Sequence, residues 1–279
     1  MRLRGIRRSN NVQVRRGGGA GRAGGLGLVG VLAVLAIGYF TGIDVTPLLN
    51  GGSAPQTQQS RPVSDADGAQ TQFASQVLAT TEDVWGNVFQ QQLGATYQPP
   101  QLVIFSGATQ SGCGGASGAT GPFYCPTDQT AYLDTDFFQM MSQELGAEGD
   151  FAAAYVIAHE VAHHVQNQIG VLPQVNEARQ RASQTEANAL TVRLELMADC
   201  FSGIWAKNVQ GQGLLERGDI EEALNAARRI GDDYLQKRAG RTPQPETFTH
   251  GTSEQRSGWF ARGFDSGQVE QCDTFAENL

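Results

Sequence analysis

Two histidines placed one helical turn apart constrain this chain more than any other feature of its sequence. The segment 151–168 contains no proline and reads as a helix, and within it an H-E-x-x-H pattern runs from His159 through Glu160 to His163. Residues four apart lie on the same face of a helix, so both imidazoles can reach one cation. Glu160 is rotated by about 100° from His159, which lets it contact a water held beside that cation.

An ordinary helix that carries two solvated or core histidines is the competing interpretation. The chain has only 4 histidines among 279 residues, so a chance match to this spacing is uncommon. We therefore favour a metal site, in which two imidazoles hold the ion and one carboxylate takes a proton from water.

A third ligand is needed, because a catalytic zinc usually takes three protein ligands and leaves a position for water. The pattern with a third histidine six residues after the second is absent, since position 169 is Ile169. The glycine expected in that pattern at position 166 is Gln166. A carboxylate further along the chain therefore has to complete the set.

Glu195 is the carboxylate that we favour as the third ligand. It lies in a largely apolar predicted helix, where burial of a carboxylate is costly unless a cation or hydrogen bonds compensate it. Glu177 and Glu186 are its rivals, but both lie in a polar stretch. An ordinary salt bridge to Arg193 or Arg228 is the alternative explanation of Glu195.

Asp199 and the two remaining histidines receive different predicted roles. Asp199 lies one turn after Glu195 on the same helix face and can accept the other N–H of a ligand histidine. His164 points about 100° away from His163, which favours a packing or hydrogen-bonding role. His250 lies in a loop before a predicted helix, and we assign it to the catalytic set, where an imidazole can stabilise the oxyanion of a tetrahedral intermediate. A surface histidine is the alternative.

The positive charge of the chain is concentrated at its N-terminus. Residues 1–43 contain seven arginines and no acidic residue, whereas the remainder carries 13 basic and 28 acidic side chains. The net charge of −8 therefore hides an acidic body of −15. An acidic body argues against nucleic acid as a partner.

An uncharged stretch over 23–43 is long enough to cross a bilayer as a helix. Arginines before it and none just after it predict a cytoplasmic N-terminus and an exported body, anchored in the bacterial cell membrane by a single pass. A cleaved signal peptide is the alternative, although its apolar region is usually shorter. The predicted organisation is a basic cytoplasmic tail over 1–22, a transmembrane anchor over 23–43, a flexible linker over 44–68 and a folded domain over 69–279.

Four cysteines lack the C-x-x-C spacing of a cysteine metal site. Disulfides are the default in an exported body, and four cysteines allow three pairings. Local closure favours a bond between Cys113 and Cys125 within a glycine-rich loop, which leaves Cys200 to pair with Cys272. Free buried thiols are the alternative.

The remaining patterns predict a mostly helical α+β domain with a small antiparallel sheet. Apolar runs at 101–105 and 130–133 predict two strands, and the glycines between them lack the lysine of a phosphate-binding loop. Helical spacing of apolar residues predicts a long helix over 185–207. A further helix is expected to begin after Thr252, which forms a capping-box pattern with Gln255.

The H-E-x-x-H helix followed by Glu-x-x-Ala-Asp at 195–199 resembles the gluzincin metallopeptidases, especially the membrane-associated ones. Their later His-Pro segment, which ends in Arg, has a near match in His250 and Arg256, with Gly251 in place of the proline. More closely, the chain is similar to the bacterial family of neutral zinc metallopeptidases (YpfJ-like) over nearly its whole length except the linker. The matching segments are the arginine- and glycine-rich N-terminus, the single anchor, Gly121–Pro126, Tyr132–Asp134, the H-E-x-x-H helix and Thr249–Gly251.

The resemblance implies a zincin-like metallopeptidase domain that acts on protein or peptide substrates. The expected cofactor is one Zn2+ per chain, held by His159, His163 and Glu195, with Glu160 as the general base of a membrane-anchored endopeptidase. The alternative is a non-catalytic exported module, in which zinc stabilises the fold and the surface binds an envelope partner. Glu160 disfavours that alternative, since a purely structural site has no use for it. A metal-dependent amidase acting on cell-wall peptides would share the chemistry and differ only in substrate.

Overall fold

The structure is a computed structural model that describes residues 1–16, 60–62, 68–117, 121–143 and 146–277. Helices make up most of the described part of the chain. In chain order they are α1 (Gly68–Val88), α2 (Thr135–Gln143), α3 (Asp150–Gln168), α4 (Val171–Arg179), α5 (Gln184–Gly211), α6 (Asp219–Arg229), α7 (Asp232–Arg238) and α8 (Ser253–Ser266). Short π or 3-10 turns extend the chain at Phe89–Leu93, Pro245–Thr247 and Val269–Cys272.

Within the described residues, seven strands form a five-stranded sheet and a separate hairpin. They are β1 (Val12–Arg16), β2 (Ser60–Pro62), β3 (Gln101–Ser106), β4 (Ala108–Ser111), β5 (Gly114–Ser117), β6 (Phe123–Cys125) and β7 (Thr130–Asp134). The sheet order is β2-β1-β3-β7-β6, and β4 pairs only with β5. The prediction of a mostly helical α+β domain with a small sheet is confirmed.

The sheet is mixed, so the prediction that it is antiparallel is wrong. β3 runs parallel to both β1 and β7, and only the outer pairs β1–β2 and β6–β7 are antiparallel. The hairpin β4–β5 and strand β6 return the chain to the starting end of β3, so β7 enters the sheet in the same direction as β3. Such a crossover depends on the path of the connection, which the apolar pattern of each strand does not encode.

Both faces of the central strands are covered. Leu102 and Ile104 of β3 belong to the main core under the helices, whereas Val103 and Phe105 pack with Ala116 of the hairpin in a second, smaller core. Successive residues of a strand point to opposite faces, so one run of four apolar residues serves both cores. This explains why β3 reads as a continuous apolar run without alternation.

The helix α5 packs against α3 on one side and against α8 on the other. Its approach to α8 requires glycine on both helices. A Cβ at Gly203 would overlap the carbonyl oxygen of Phe260, and a Cβ at Gly263 would overlap that of Cys200. The two backbones therefore lie in direct contact where the second half of α8 meets the middle of α5.

The N-terminal segment 1–16 packs on the helical body. Its strand β1 lies between β2 and β3. Polar side chains of the segment before β1 converge on Glu82 of α1. The carboxylate of Glu82 accepts hydrogen bonds from Ser9 Oγ at 2.5 Å and Asn11 Nδ2 at 2.8 Å, and it lies 2.8 Å from Arg7 Nη2. The amino group at residue 1 forms a further ion pair with Asp150 at 2.8 Å.

This packing corrects the predicted division of the chain. Residues 1–16 were expected to form part of a separate cytoplasmic tail over 1–22, but β1 pairs with β3 and cannot lie across a membrane from it. The predicted linker over 44–68 contributes β2. The predicted anchor over 23–43 lies outside the described residues, and within the described ones no helix is both long and apolar enough to cross a membrane.

Both predicted disulfides are confirmed. Cys113 is bonded to Cys125, which ties the hairpin β4–β5 to the edge strand β6, and Cys200 is bonded to Cys272. All four cysteines are thus paired. The second bond fastens the C-terminal segment to the middle of α5, next to the close contact with α8.

Candidate metal centre

Two imidazoles and one carboxylate meet where α3 crosses α5. His159 Nε2 lies 3.0 Å from Glu195 Oε2, and His163 Nε2 lies 3.4 Å from Glu195 Oε1. One ligand atom from each residue lies within 4.8 Å of the others. His159 and Glu195 are buried, and the side chain of His163 is 13% exposed. The structure thus brings together the three residues that the sequence predicts as ligands.

The rival carboxylates lie elsewhere and have other partners. Glu177 pairs with Arg181 at 2.6 Å on the surface of α4. Glu186 belongs to the capping box of α5, where it accepts a hydrogen bond from the backbone N–H of Ser183. Arg193, a candidate salt-bridge partner for Glu195, instead donates to backbone carbonyl oxygens in the C-terminal segment. Glu195 is therefore the carboxylate that faces the histidines.

Asp199 lies behind the first histidine and is completely buried. Its Oδ1 is 2.9 Å from His159 Nδ1 and also accepts a hydrogen bond from the hydroxyl of Tyr155. Arg256 of α8 donates to both oxygens of the same carboxylate, at 2.8 Å from Nε and 3.0 Å from Nη2. A carboxylate in this position fixes the ring orientation of a ligand histidine, so that Nε2 faces the ion.

Arg256 and Tyr155 are the members of this network to which the sequence analysis assigned no role. Arg256 is 2% exposed and is one of the largest fully buried side chains. A guanidinium is almost never buried without a partner. The available signal was the match of Arg256 to the arginine that ends the His-Pro segment of the metallopeptidases it resembles.

The charges of the site favour a bound cation. Burial raises the pKa of Asp199, but Arg256 and His159 outweigh burial and hold that pKa below its usual range. The pKa of Glu195 is held well below its usual range by the two histidines, again against burial. Burial lowers the pKa of His159, but Asp199 and Glu195 outweigh it and raise that pKa to about 10. Two buried carboxylates thus flank His159, with Asp199 at Nδ1 and Glu195 at Nε2, and Glu195 supplies the negative charge where the ligand atoms meet.

The donor set fits zinc. Two imidazole nitrogens and one carboxylate are ligands of catalytic zinc sites, and a carboxylate behind one imidazole is the usual partner of such a ligand. The residues in the structure therefore match the group that the sequence implies. The second acidic group, Asp150 with Asp219 and Glu222, contains no imidazole and lies against the amino group of Met1.

Glu160 lies beside the ligands, is 8% exposed and has no ligand role in this geometry. Burial raises its pKa to about 7, although the charge of His159 partly offsets the effect. A carboxyl group that titrates near neutral pH can both accept and return a proton.

His250 lies at the rim of the site. Its side chain is 46% exposed, and its Nδ1 lies 3.1 Å from Thr249 Oγ1 and 3.4 Å from Asp232 Oδ1. The other oxygen of Asp232 accepts the backbone N–H groups of residues 249, 250 and 251, which fixes the loop. Burial lowers the pKa of His250, but Asp232 and Glu195 outweigh it and raise that pKa. The structure thus leaves Nε2 of His250 for other contacts.

His164 points away from the ligands, as its position on the helix predicts. Its Nδ1 lies 2.9 Å from the hydroxyl of Tyr124, and its Nε2 lies 2.6 Å from the carbonyl oxygen of Gln98. These bonds join α3 to the edge strand β6 and to the segment just before β3. His164 therefore has a packing and hydrogen-bonding role.

Comparison with known protein families identifies the family to which the chain belongs. The model of the family described as "Putative neutral zinc metallopeptidase" matches residues 1–275. The chain belongs to this family of neutral zinc metallopeptidases. The match includes residues 1–16, which the structure places in the same fold as the rest of the domain.

Relatives within the neutral zinc metallopeptidase family are named but not assigned an activity. "Uncharacterized protein YpfJ" of Escherichia coli is 48% identical over 289 aligned positions, which cover 100% of both chains. "Uncharacterized protein Rv2575" of Mycobacterium tuberculosis and "Uncharacterized protein Mb2605" of Mycobacterium bovis are each 44% identical over 191 positions, or 64% of each chain. No solved structure matches the chain.

The buried ion pair between Arg256 and Asp199 predicts a large loss of stability in Arg256→Ala. Removal of one partner from a buried pair leaves an uncompensated charge, which typically costs about 3–5 kcal/mol. Urea unfolding of the metal-free protein measures this directly. Arg262→Ala on the same helix is the matched control, because its pair with Glu277 is 37% and 42% exposed and is expected to contribute about 0–1 kcal/mol. Equal losses in the two variants would contradict the prediction.

Proposed function

We propose that this chain is a zinc-dependent endopeptidase that hydrolyses peptide bonds in proteins or peptides. One zinc ion per chain is held by His159, His163 and Glu195. The observation that carries the proposal is Glu160, a buried carboxylate beside the ligands that a purely structural metal site would not use. Membership of a zinc metallopeptidase family supports the same chemistry.

Each residue of the site has one task in this mechanism. Bound zinc supplies Lewis acidity, which lowers the pKa of water and polarises a peptide carbonyl. Glu160 accepts the proton of the attacking water and later passes it to the leaving amine, which is general acid–base catalysis. Asp199 keeps the ring of His159 in one orientation.

His250 is proposed to stabilise the oxyanion that forms as water adds to the peptide carbonyl. Its Nδ1 is directed at Thr249 and Asp232, so Nε2 remains for the substrate oxygen. The charge of His250 helps to lower the pKa of Glu195. It also offsets part of the rise that burial causes in the pKa of Glu160. This coupling supports a place for His250 at the open side of the ligands.

We further propose that the protein acts outside the cytoplasm and contacts the bacterial membrane through residues 23–43. Two disulfides support an oxidising compartment. The single crossing with a cytoplasmic N-terminus is not retained, because β1 lies between β2 and β3. We therefore place the segments before and after residues 23–43 on the same side of the membrane, outside the cytoplasm.

Zinc content should depend on Glu195 and on neither of its rivals. Glu195→Ala is expected to lose the metal, because it removes the only carboxylate that faces both histidines within the described residues. Glu177→Ala and Glu186→Ala should each retain one zinc per chain by elemental analysis. The ligand assignment fails if Glu195→Ala binds zinc as tightly as the parent protein does.

Activity should depend on Glu160 independently of metal binding. Glu160→Gln removes the proton acceptor, and general acid–base assistance is typically worth about 10²- to 10⁴-fold in rate. Cleavage of a labelled denatured protein should fall by that factor, while zinc content and fold are kept. Glu148→Gln, at an exposed position, is the control. Parental activity in Glu160→Gln would exclude the proposed mechanism, and an inactive parent that binds zinc would favour the binding-module alternative.

Topology can be tested with one short tag inserted after Arg22 and another after Leu279. In intact spheroplasts both tags should be accessible to an external protease, because strand pairing places residues 1–16 beside the body. A cytoplasmic protein serves as the control for intact membranes. Protection of the first tag alone would restore the single crossing, and protection of both would refute export.

A further inference from the structure

Gln166 is a buried amide on α3, one turn after His163. It is 0% exposed, and a polar group in such a position is normally hydrogen-bonded. Its place in the sequence is also unusual, since the related H-E-x-x-H pattern with a third histidine has glycine there. The mechanism proposed above does not involve this side chain.

The amide of Gln166 forms two hydrogen bonds to the metal centre. Its Oε1 lies 2.9 Å from His163 Nδ1, and its Nε2 donates to the carbonyl oxygen of Leu194 at 2.7 Å. A carbonyl oxygen can only accept, so the amide nitrogen has to face Leu194 and the amide oxygen has to face the imidazole. The proton of a neutral His163 is therefore on Nδ1, and the lone pair of Nε2 faces Glu195.

The two ligand histidines are thus held by different groups. His159 is held by a carboxylate that belongs to a charged network with Arg256. His163 is held by a neutral amide whose second bond ends at Leu194, the residue directly before Glu195. One side chain therefore connects the second ligand on α3 to the backbone that carries the third ligand on α5.

We propose that Gln166 is a positioning residue that fixes the tautomer of His163 and the distance between His163 and Glu195. The proposal rests on the zinc site described above. No other common side chain of this size satisfies both contacts. A glutamate accepts from His163 but cannot donate to Leu194 when ionised, and a methionine makes neither bond.

The first test is the ring tautomer of His163 in the metal-free protein, read from ¹⁵N NMR shifts after labelling of the histidines. The parent should show the proton on Nδ1. Gln166→Met removes both bonds in nearly the same volume and should lose this preference, whereas Gln166→Glu should keep it. Gln168→Leu, two residues further along α3 and bonded to the Gln98 carbonyl oxygen, should match the parent.

The second test is zinc affinity, measured by competition with a chelator. Gln166→Met is expected to bind zinc about 10- to 100-fold more weakly than the parent, which is the usual effect of losing a partner behind a ligand histidine. Gln168→Leu should bind like the parent. Parental tautomer and affinity in Gln166→Met would overturn the proposal, as would loss of the Nδ1 tautomer in Gln166→Glu. If the parent binds no zinc, the proposed function fails, and the tautomer still decides the role of Gln166.

Discussion

The arrangement of the site depends on one buried charge, the carboxylate of Asp199. It has no exposed surface, and it is held by donors from two other helices: Tyr155 and His159 of α3, and Arg256 of α8. An uncompensated carboxylate in this position would be prohibitively unstable. The three helices therefore pack in the one arrangement that satisfies it. Because Glu195 lies one turn before Asp199 on α5, the same arrangement places Glu195 at the histidines.

Apolar packing makes this charge network geometrically possible. The contact of Gly203 with α8 and of Gly263 with α5 allows the two backbones to touch. At that separation the guanidinium of Arg256 contacts both oxygens of Asp199. The disulfide between Cys200 and Cys272 fastens the chain beyond α8 to the same part of α5. Close backbone packing and charge pairing thus join the same two helices, α5 and α8.

Local chemistry explains which features the sequence could predict. The spacing of His159 and His163, the capping box at the start of α8 and the disulfide between Cys113 and Cys125 depend on residues near one another in the chain. Glu195 was predictable because an acid among apolar residues requires compensation. Arg256 and Gln166 were not assigned a role, because the packing of α5 brings Asp199 to the first and the carbonyl oxygen of Leu194 to the second. The directions of the strands were missed because they depend on the path of the connections between them.

The N-terminal segment shows why charge alone misleads. A run of arginines before an apolar stretch is typical of a cytoplasmic flank, yet the same cations can form part of a fold. Arg7 pairs with Glu82 and Asp83, and Arg15 donates to the carbonyl oxygen of Gln110. Composition alone cannot distinguish a cytoplasmic flank from a part of the fold. The burial of Val12 and Val14 in a strand shows that this segment is part of the fold. Since β1 and β2 are adjacent in one sheet, the chain between them starts and ends at the same place.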